Sequence, residues 1–412
     1  MQNTQDVTAT LSDDIKFLIT CCKTELSKND ITFIIQSIQH PSFNIQHLLS
    51  LANQHGIIPL VYKTLKKLSK ENVSPQSQGL SKCTQNLTLE QLLTELKVDY
   101  TNIAQRNMLM SAELIRIIKL LEDHGIEALA FKGPILSQMA YGDITLRQYV
   151  DLDILVDEAD AYEVGKLMSE YGFTSSYPLS ILKNKTCLYV DSDFAFTRNT
   201  NNILIEMHWR LFRKNIGHHL IFEEFSKDPQ TIKMNGIPVK VLSPELHLLY
   251  LSLHGSKHAW ERVEWISDLD KFIRTQDLNE KKLKETFNLM KANRPILIGL
   301  LLTNKLFATP LPQWIKEKID ADNEIDELYE TTIDLLSTGF SNMTEMQRAR
   351  TIYLYQLIFF KNPTEKIKYF FESYLSISRN DCLEFPLPPA LNFLYILIKP
   401  FRTLRKRWRT KK

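Results

Sequence analysis

Asp151 and Asp153 stand two residues apart in the run Asp151-Leu152-Asp153-Ile154-Leu155-Val156. On a β-strand, residues i and i+2 share a face, so both carboxylates would leave one side of an otherwise aliphatic strand. Crowding two like charges in an apolar setting costs several kcal/mol unless a cation relieves them. An all-oxygen ligand set suits Mg²⁺ or Mn²⁺ better than zinc. An Asp-x-Asp pair taken alone is more often a solvated pair at a loop edge, so its neighbours decide. Leu129-Ala130-Phe131 reads as a short apolar strand, Lys132-Gly133-Pro134 breaks it, and residues 135–141 follow with helical apolar spacing. Gly133 allows backbone to approach a phosphate, the helix N-terminus offers N–H donors, and Lys132 supplies positive charge. Arg147 has the planar fork for bidentate phosphate contacts. A third carboxylate, Glu206, lies in a second strand-like run from Ile203 to Trp209. Two aspartates and a glutamate on neighbouring strands are a ligand set for two-metal phosphoryl transfer.

These pieces resemble the DNA polymerase β-type nucleotidyltransferase superfamily, and within it the family of uncharacterised nucleotidyltransferases. The similarity rests on Phe131-Lys132-Gly133, Tyr141, Arg147, Asp151 to Val156, Glu206-Met207-His208-Trp209, and Ser243-Pro244-Glu245 through Trp260. Leu51 to Leu60 is similar to the family's N-terminal helical pattern. The broader superfamily carries Gly-Ser or Gly-Gly in its nucleotide turn; the Lys-Gly-Pro turn and its longer distance to Asp151 are similar to the narrower family. The resemblance implies an α+β fold, with a polymerase β-like mixed sheet flanked by N- and C-terminal helical regions. It implies an NTP as substrate and Mg²⁺ (or Mn²⁺) held by Asp151, Asp153 and Glu206, with Lys132, Gly133, Arg147 and Lys257 toward the nucleotide. A nucleoside monophosphate would pass to a small-molecule, sugar, peptide or protein acceptor with release of pyrophosphate. Two alternatives stay open: a non-catalytic nucleotide-binding module, and an enzyme that modifies RNA ends or acts as a toxin.

Three further histidines bear on the site. His208, two residues after Glu206, shares its strand face and either approaches the metals or makes a structural hydrogen bond. His254 and His258 lie four apart on an expected helix, so they share a face. A zinc site would want a third ligand, and no His-Glu-x-x-His motif is present. The expectation is that His254, Lys257 and Arg262 line a cleft, with Asp268 pairing one of these cations.

The surrounding elements follow from periodicity and punctuation. Residues 1–124 read as a helical region, 125–242 as the catalytic unit, and 243–412 as a helical region with a basic tail. Residues 72–88, rich in Ser, Asn, Gln and Pro, suggest a loop, followed by a long helix over 89–123 ending at His124-Gly125. Strands are expected over 128–131, 151–156, 186–190, 194–197, 203–208 and 239–242, with helices over 135–140 and 159–171. Ser243-Pro244 should open a helix.

Composition sets the remaining bounds. The 412 residues are 44% hydrophobic and 24% charged, an ordinary globular mixture. Eight basic residues and no acid lie between Lys399 and Lys412; removing that +8 from the net +2 leaves residues 1–398 at −6. A mildly acidic body is not expected to take nucleic acid as partner. The tail, with Leu391 to Ile398 before it, suits either an anionic membrane surface or a docked helix with a solvated end. Five cysteines without Cys-x-x-Cys spacing argue against a disulfide scaffold and fit a cytoplasmic protein. The start lacks the features of a signal peptide, and no apolar run reaches the ~18 residues of a membrane span.

Overall fold

The computed structural model describes residues 11–71, 82–200, 202–212, 222–340, 343–375 and 377–385, with a few positions up to 397. Four helices come first: α1 (Asp13–Cys22), α2 (Lys28–Gln39), α3 (Ile45–Gln54) and α4 (Ile58–Lys70). Side-chain caps set their starts: Ser12 accepts from Ile15 N, Ser27 forms a capping box with Asp30, and Asn44 accepts from His47 N. Then α5 runs over Lys82–Asp123. It begins earlier than expected, because residues 82–88 hold no Gly or Pro to interrupt it. The rest of the expected loop, 72–81, lies outside the described residues. Gly125, at φ +71, ends the helix as expected, with Ile126 N donating to Leu121 O.

The sheet has six strands, β1 (Ala128–Phe131), β2 (Asp151–Val156), β3 (Asp193–Arg198), β4 (Ile203–His208), β5 (Gln230–Met234) and β6 (Ile237–Val241), in the order β3-β4-β2-β1-β6-β5. It is mixed: β2 runs antiparallel to β1 and parallel to β4, and β1 runs parallel to β6. Between the strands lie α6 (Gly133–Tyr141), α7 (Ala161–Glu170), α8 (Lys185–Val190) and the short α9 (Phe222–Phe225). The strand expected over 186–190 is thus a helix. Asn184 accepts hydrogen bonds from Thr186 N and Cys187 N, and that cap overrides the β-propensity of Thr, Tyr and Val. Strand β5 was not expected. It forms a hairpin with β6 across Asn235-Gly236, both at positive φ (50 and 82), the backbone of a type I′ turn.

Beyond the sheet come α10 (Pro244–Lys257), α11 (Val263–Thr275), α12 (Glu280–Met290), α13 (Asn293–Phe307), α14 (Gln313–Asp320), α15 (Ile325–Thr338), α16 (Glu345–Leu357), α17 (Pro363–Leu375) and α18 (Arg379–Glu384). Ser243 caps α10 as the sequence suggests, with Pro244 in its first turn. The architecture is therefore α+β. One buried apolar cluster runs through it, from Leu18 of α1 and Leu121 of α5 through Leu155 of β2 to Leu269 of α11 and Ile298 of α13. Among the described residues no helix is long and apolar enough to cross a membrane. The basic tail, 398–412, lies outside the described residues.

Candidate active site

The site is built on the centre of the sheet. In the parallel pairing of β2 with β4, Asp153 stands opposite Glu206 and Leu155 opposite His208. Strand alternation puts Asp151 and Asp153 on one side of β2, and Glu206 and His208 on the same side of β4. Ligand atoms of Asp153, Glu206 and His208 all lie within 4.8 Å of one another. Asp153 is buried and Asp151 and Glu206 are half-buried.

On the other side of β2, Phe131 pairs with Asp153, which delivers Lys132 to the same spot. Lys132 Nζ lies 3.3 Å from Asp153 Oδ1, and His208 Nε2 lies 3.2 Å from that oxygen and 3.6 Å from Glu206 Oε2. Burial alone would raise the Asp153 carboxyl, but Lys132 and His208 hold it below the usual carboxylate range. Burial works against protonated His208 too, yet its bonds to Asp153 and Glu206 push it up to about 9. Asp151 is pushed up to about 6, by burial first and by Asp153 second. Both cations crowd Oδ1 of Asp153, while its buried Oδ2 has no hydrogen-bond partner, nor has Nδ1 of His208.

Gly133 is held at φ +39, and a Cβ there would meet the carbonyl oxygen of Asp151 at 3.1 Å. Glycine is thus needed for the conformation and for the closeness of the turn to β2. Tyr250 of α10 packs its ring 5.2 Å from that of Phe131, and Lys132 Nζ lies 5.8 Å from the Tyr250 centroid.

Beside Asp151 opens a cavity of about 910 Å³, walled by Lys132, Arg147 and Asp151, by α1 and α3, by His254, His258 and Trp265, and by Leu336 to Phe340 with Met343, Glu345 and Arg348. The sequence-expected residues are not all brought together here. Arg147 reaches the wall, but its Nε donates to Asp268 Oδ2 at 2.9 Å and its Nη2 lies 3.6 Å from Glu264 Oε1. Tyr141 OH donates to the other Asp268 oxygen at 2.8 Å. Asp268, expected to pair with His254, Lys257 or Arg262, therefore binds Arg147 instead, because α11 packs against α6 and not along α10 alone. Lys257 does not line the cavity; its backbone carbonyl accepts from Gln356 Nε2 at 2.8 Å. His254 and His258 do share a face, with ring centroids 4.9 Å apart.

Sequence reasoning missed Glu264, Trp265 and Asn107. Glu264 is buried, pushed up to about 7 by desolvation, and sits against Gly56. An acid within the apolar run Val263-Glu264-Trp265-Ile266 was the available signal. Asn107 of α5 donates to Ile144 O and Arg147 O at 2.7 and 2.8 Å, holding the loop that precedes β2. A mid-helix asparagine gives no such signal.

A solved structure similar to part of this chain is that of an antigenic nucleotidyltransferase-like protein from Paracoccidioides brasiliensis. It is 15% identical over 52% of this chain and 96% of its own, with a TM-score of 0.29. A search of curated proteins finds no match. The model of the uncharacterised nucleotidyltransferase family matches residues 41–308, a span from α3 to just past α13 that takes in the whole sheet, the acidic cluster and the cavity's histidines. With well over half of its length matched, the chain belongs to the uncharacterised nucleotidyltransferase family.

Proposed function

We propose that this protein transfers a nucleoside monophosphate from an NTP to a small-molecule, sugar, peptide or protein acceptor, with release of pyrophosphate. One observation carries the reading: Asp153 faces Glu206 across parallel strands, with Asp151 two residues before it on the same side. A buried carboxylate oxygen without a hydrogen-bond partner, beside two further carboxylates, fits a hard divalent cation. Asp151, Asp153 and Glu206 would hold Mg²⁺ or Mn²⁺. When bound, such ions offset the triphosphate charge and favour ionisation of an acceptor hydroxyl.

The chain's own groups do the rest. Lys132 places a fixed positive charge at the end of β1, where phosphate oxygens can reach it. His208 donates from Nε2 to Asp153 and lies 3.6 Å from Glu206, so its charge offsets both carboxylates. Glu206, with its side chain 33% exposed, is the carboxylate open to an incoming acceptor and takes its proton. The acceptor oxygen bonds to the α-phosphorus as the bond to the departing pyrophosphate breaks.

Calorimetric titration with each NTP, with and without Mg²⁺, tests this directly. Wild type should bind at least one NTP in a Mg²⁺-dependent way, and the Asp151→Ala, Asp153→Ala double variant should not. Well-folded wild type that ignores every NTP would remove the enzyme reading and leave the fold.

A further inference from the structure

Two chemically different parts of the cavity wall lie close together. At one stand Lys132 and Asp151, the latter beside Asp153 on β2. At the other, His254 and His258 from α10 and Trp265 from α11 form a half-buried ring cluster, with centroids 4.9, 5.4 and 5.3 Å apart. Tyr250 links the two: its ring lies 6.0 Å from that of His254 and 5.8 Å from Lys132 Nζ.

The histidines are poor partners for phosphate. Burial, reinforced by Lys132 and other nearby cations, holds His254 well below the usual imidazole range and pushes His258 down to about 3. Both rings are therefore neutral at pH 7. Nor do they build a metal site: among the described residues Asp153, Glu206 and His208 are the one grouping of ligand atoms, and neither belongs to it. What neutral, half-buried rings offer is a flat π surface. They meet each other tilted or edge-on, at interplanar angles of 58°, 82° and 42°.

Their placement is held firmly. Just past the end of α10 and its C-cap His258 come two successive non-glycine residues at positive φ, Ala259 (51) and Trp260 (53). The Trp260 ring is fully buried against Gly255 and Gly299, where a Cβ would come within 2.3 and 2.5 Å of it. This turn fixes His258 and returns the chain so that Trp265 faces it.

We propose that the His254–His258–Trp265 cluster is the subsite for the nucleobase of the NTP, whose triphosphate lies toward Lys132 and the carboxylates. The inference rests on the proposed function. A nucleotide is the reactant that joins a polyanion to a flat heteroaromatic ring, and this wall joins a cation to a ring cluster in the same sequence. The acceptor is then left the remainder of the cavity, toward α1, α3 and residues 336–340.

Calorimetry on the full chain with Mg²⁺ tests it, using the four NTPs and inorganic tripolyphosphate against wild type, Trp265→Leu and the ring-keeping Trp265→Phe. Wild type should prefer at least one NTP to tripolyphosphate. Trp265→Leu should lose about tenfold or more of that NTP affinity, keep tripolyphosphate affinity within about twofold, and be largely restored in Trp265→Phe. Retained tripolyphosphate binding also reports that the variant is folded. Equal NTP affinity in wild type and Trp265→Leu overturns the inference while leaving the proposed function standing. A parallel loss of tripolyphosphate binding overturns it as well, since the ring would then be supporting the whole site. Wild type that binds neither probe overturns the proposed function and this inference together.

Discussion

Glu206 and Asp153 are neighbours of unequal character. Asp153 is buried under two cations, whereas Glu206 keeps part of its side chain in contact with solvent. Glu206→Gln should therefore weaken NTP binding little while lowering the transfer rate by about 10²–10⁴, the range for losing a positioned base. Comparable losses in binding and rate would assign Glu206 to metal-holding alone. The buried histidines make a separate prediction about pH. His247 is fully buried, neither ring nitrogen has a hydrogen-bond partner, and desolvation pushes it down to about 3; His55 is pushed to about 4 for the same first reason. Between those values and the unfolded value of about 6.5, the unfolded chain binds more protons, so stability falls as pH drops below about 6.5. At pH 5 each such histidine weighs about 2 kcal/mol against the fold. His208, pushed up to about 9, acts in the opposite sense: its contribution is complete below about 6.5 and is lost as pH rises through 9. Urea unfolding of His247→Leu should show a gain over wild type at pH 5 that exceeds any gain at pH 8, and an equal gain at both would refute the neutral-histidine account.

At the scale of elements, the two glycine contacts are the most exposed to test. Gly133→Ala combines a strained φ with a contact to the Asp151 carbonyl, so it should cost about 1–2 kcal/mol and shift β2 under its carboxylates. Lower transfer with an intact circular dichroism spectrum is the expected result, and full activity would show that the turn and β2 are not coupled. Gly255→Ala drives a methyl into the Trp260 ring and should destabilise by about 1–3 kcal/mol or more, read as a lower melting temperature. Strands β1 and β2 were legible because burial on both faces leaves largely aliphatic runs, β4 because its apolar residues alternate, and the Ser243-Pro244 start because caps are local. Helix α8 was not, since six residues with β-branched and aromatic members fit either state until the cap of Asn184 is weighed. The Asn235-Gly236 pair did carry the signal for β5, in a stretch too polar on one face to draw notice. The same division runs through the site. The carboxylates follow from spacing, whereas the destination of Arg147 depends on acids more than a hundred residues away on α11.

For the molecule as a whole, Arg147 is a keystone between regions distant in sequence. It ties the approach to β2 to Asp268 and Glu264 of α11, and α11 is tied in turn to the end of α3 through Glu264 N to His55 O and Arg262 Nε to Gln54 O. Arg147→Met would leave the buried Asp268 carboxylate without its cation and Glu264 with Arg262 alone, and should cost about 3–5 kcal/mol. Chemical denaturation checks this, with the loss expected in the transition that melts α11 against the sheet. A loss below about 1 kcal/mol would mean that Asp268 and Glu264 find other partners. The cavity walls are likewise drawn from separate stretches: α1 and α3, the β1–β2 region, α10 with α11, and the end of α15 with the start of α16. The proposed chemistry sits on β2 and β4, but Asp14, His47 and Leu51 line the cavity from the open sides of α1 and α3, which the strands do not depend on for register. Substitutions at such half-exposed positions typically change stability by less than about 0.5 kcal/mol. Divergence can thus rewrite what enters the far end of the cavity while leaving the reaction untouched, and a lineage of such proteins could share one catalytic step across many unrelated acceptors.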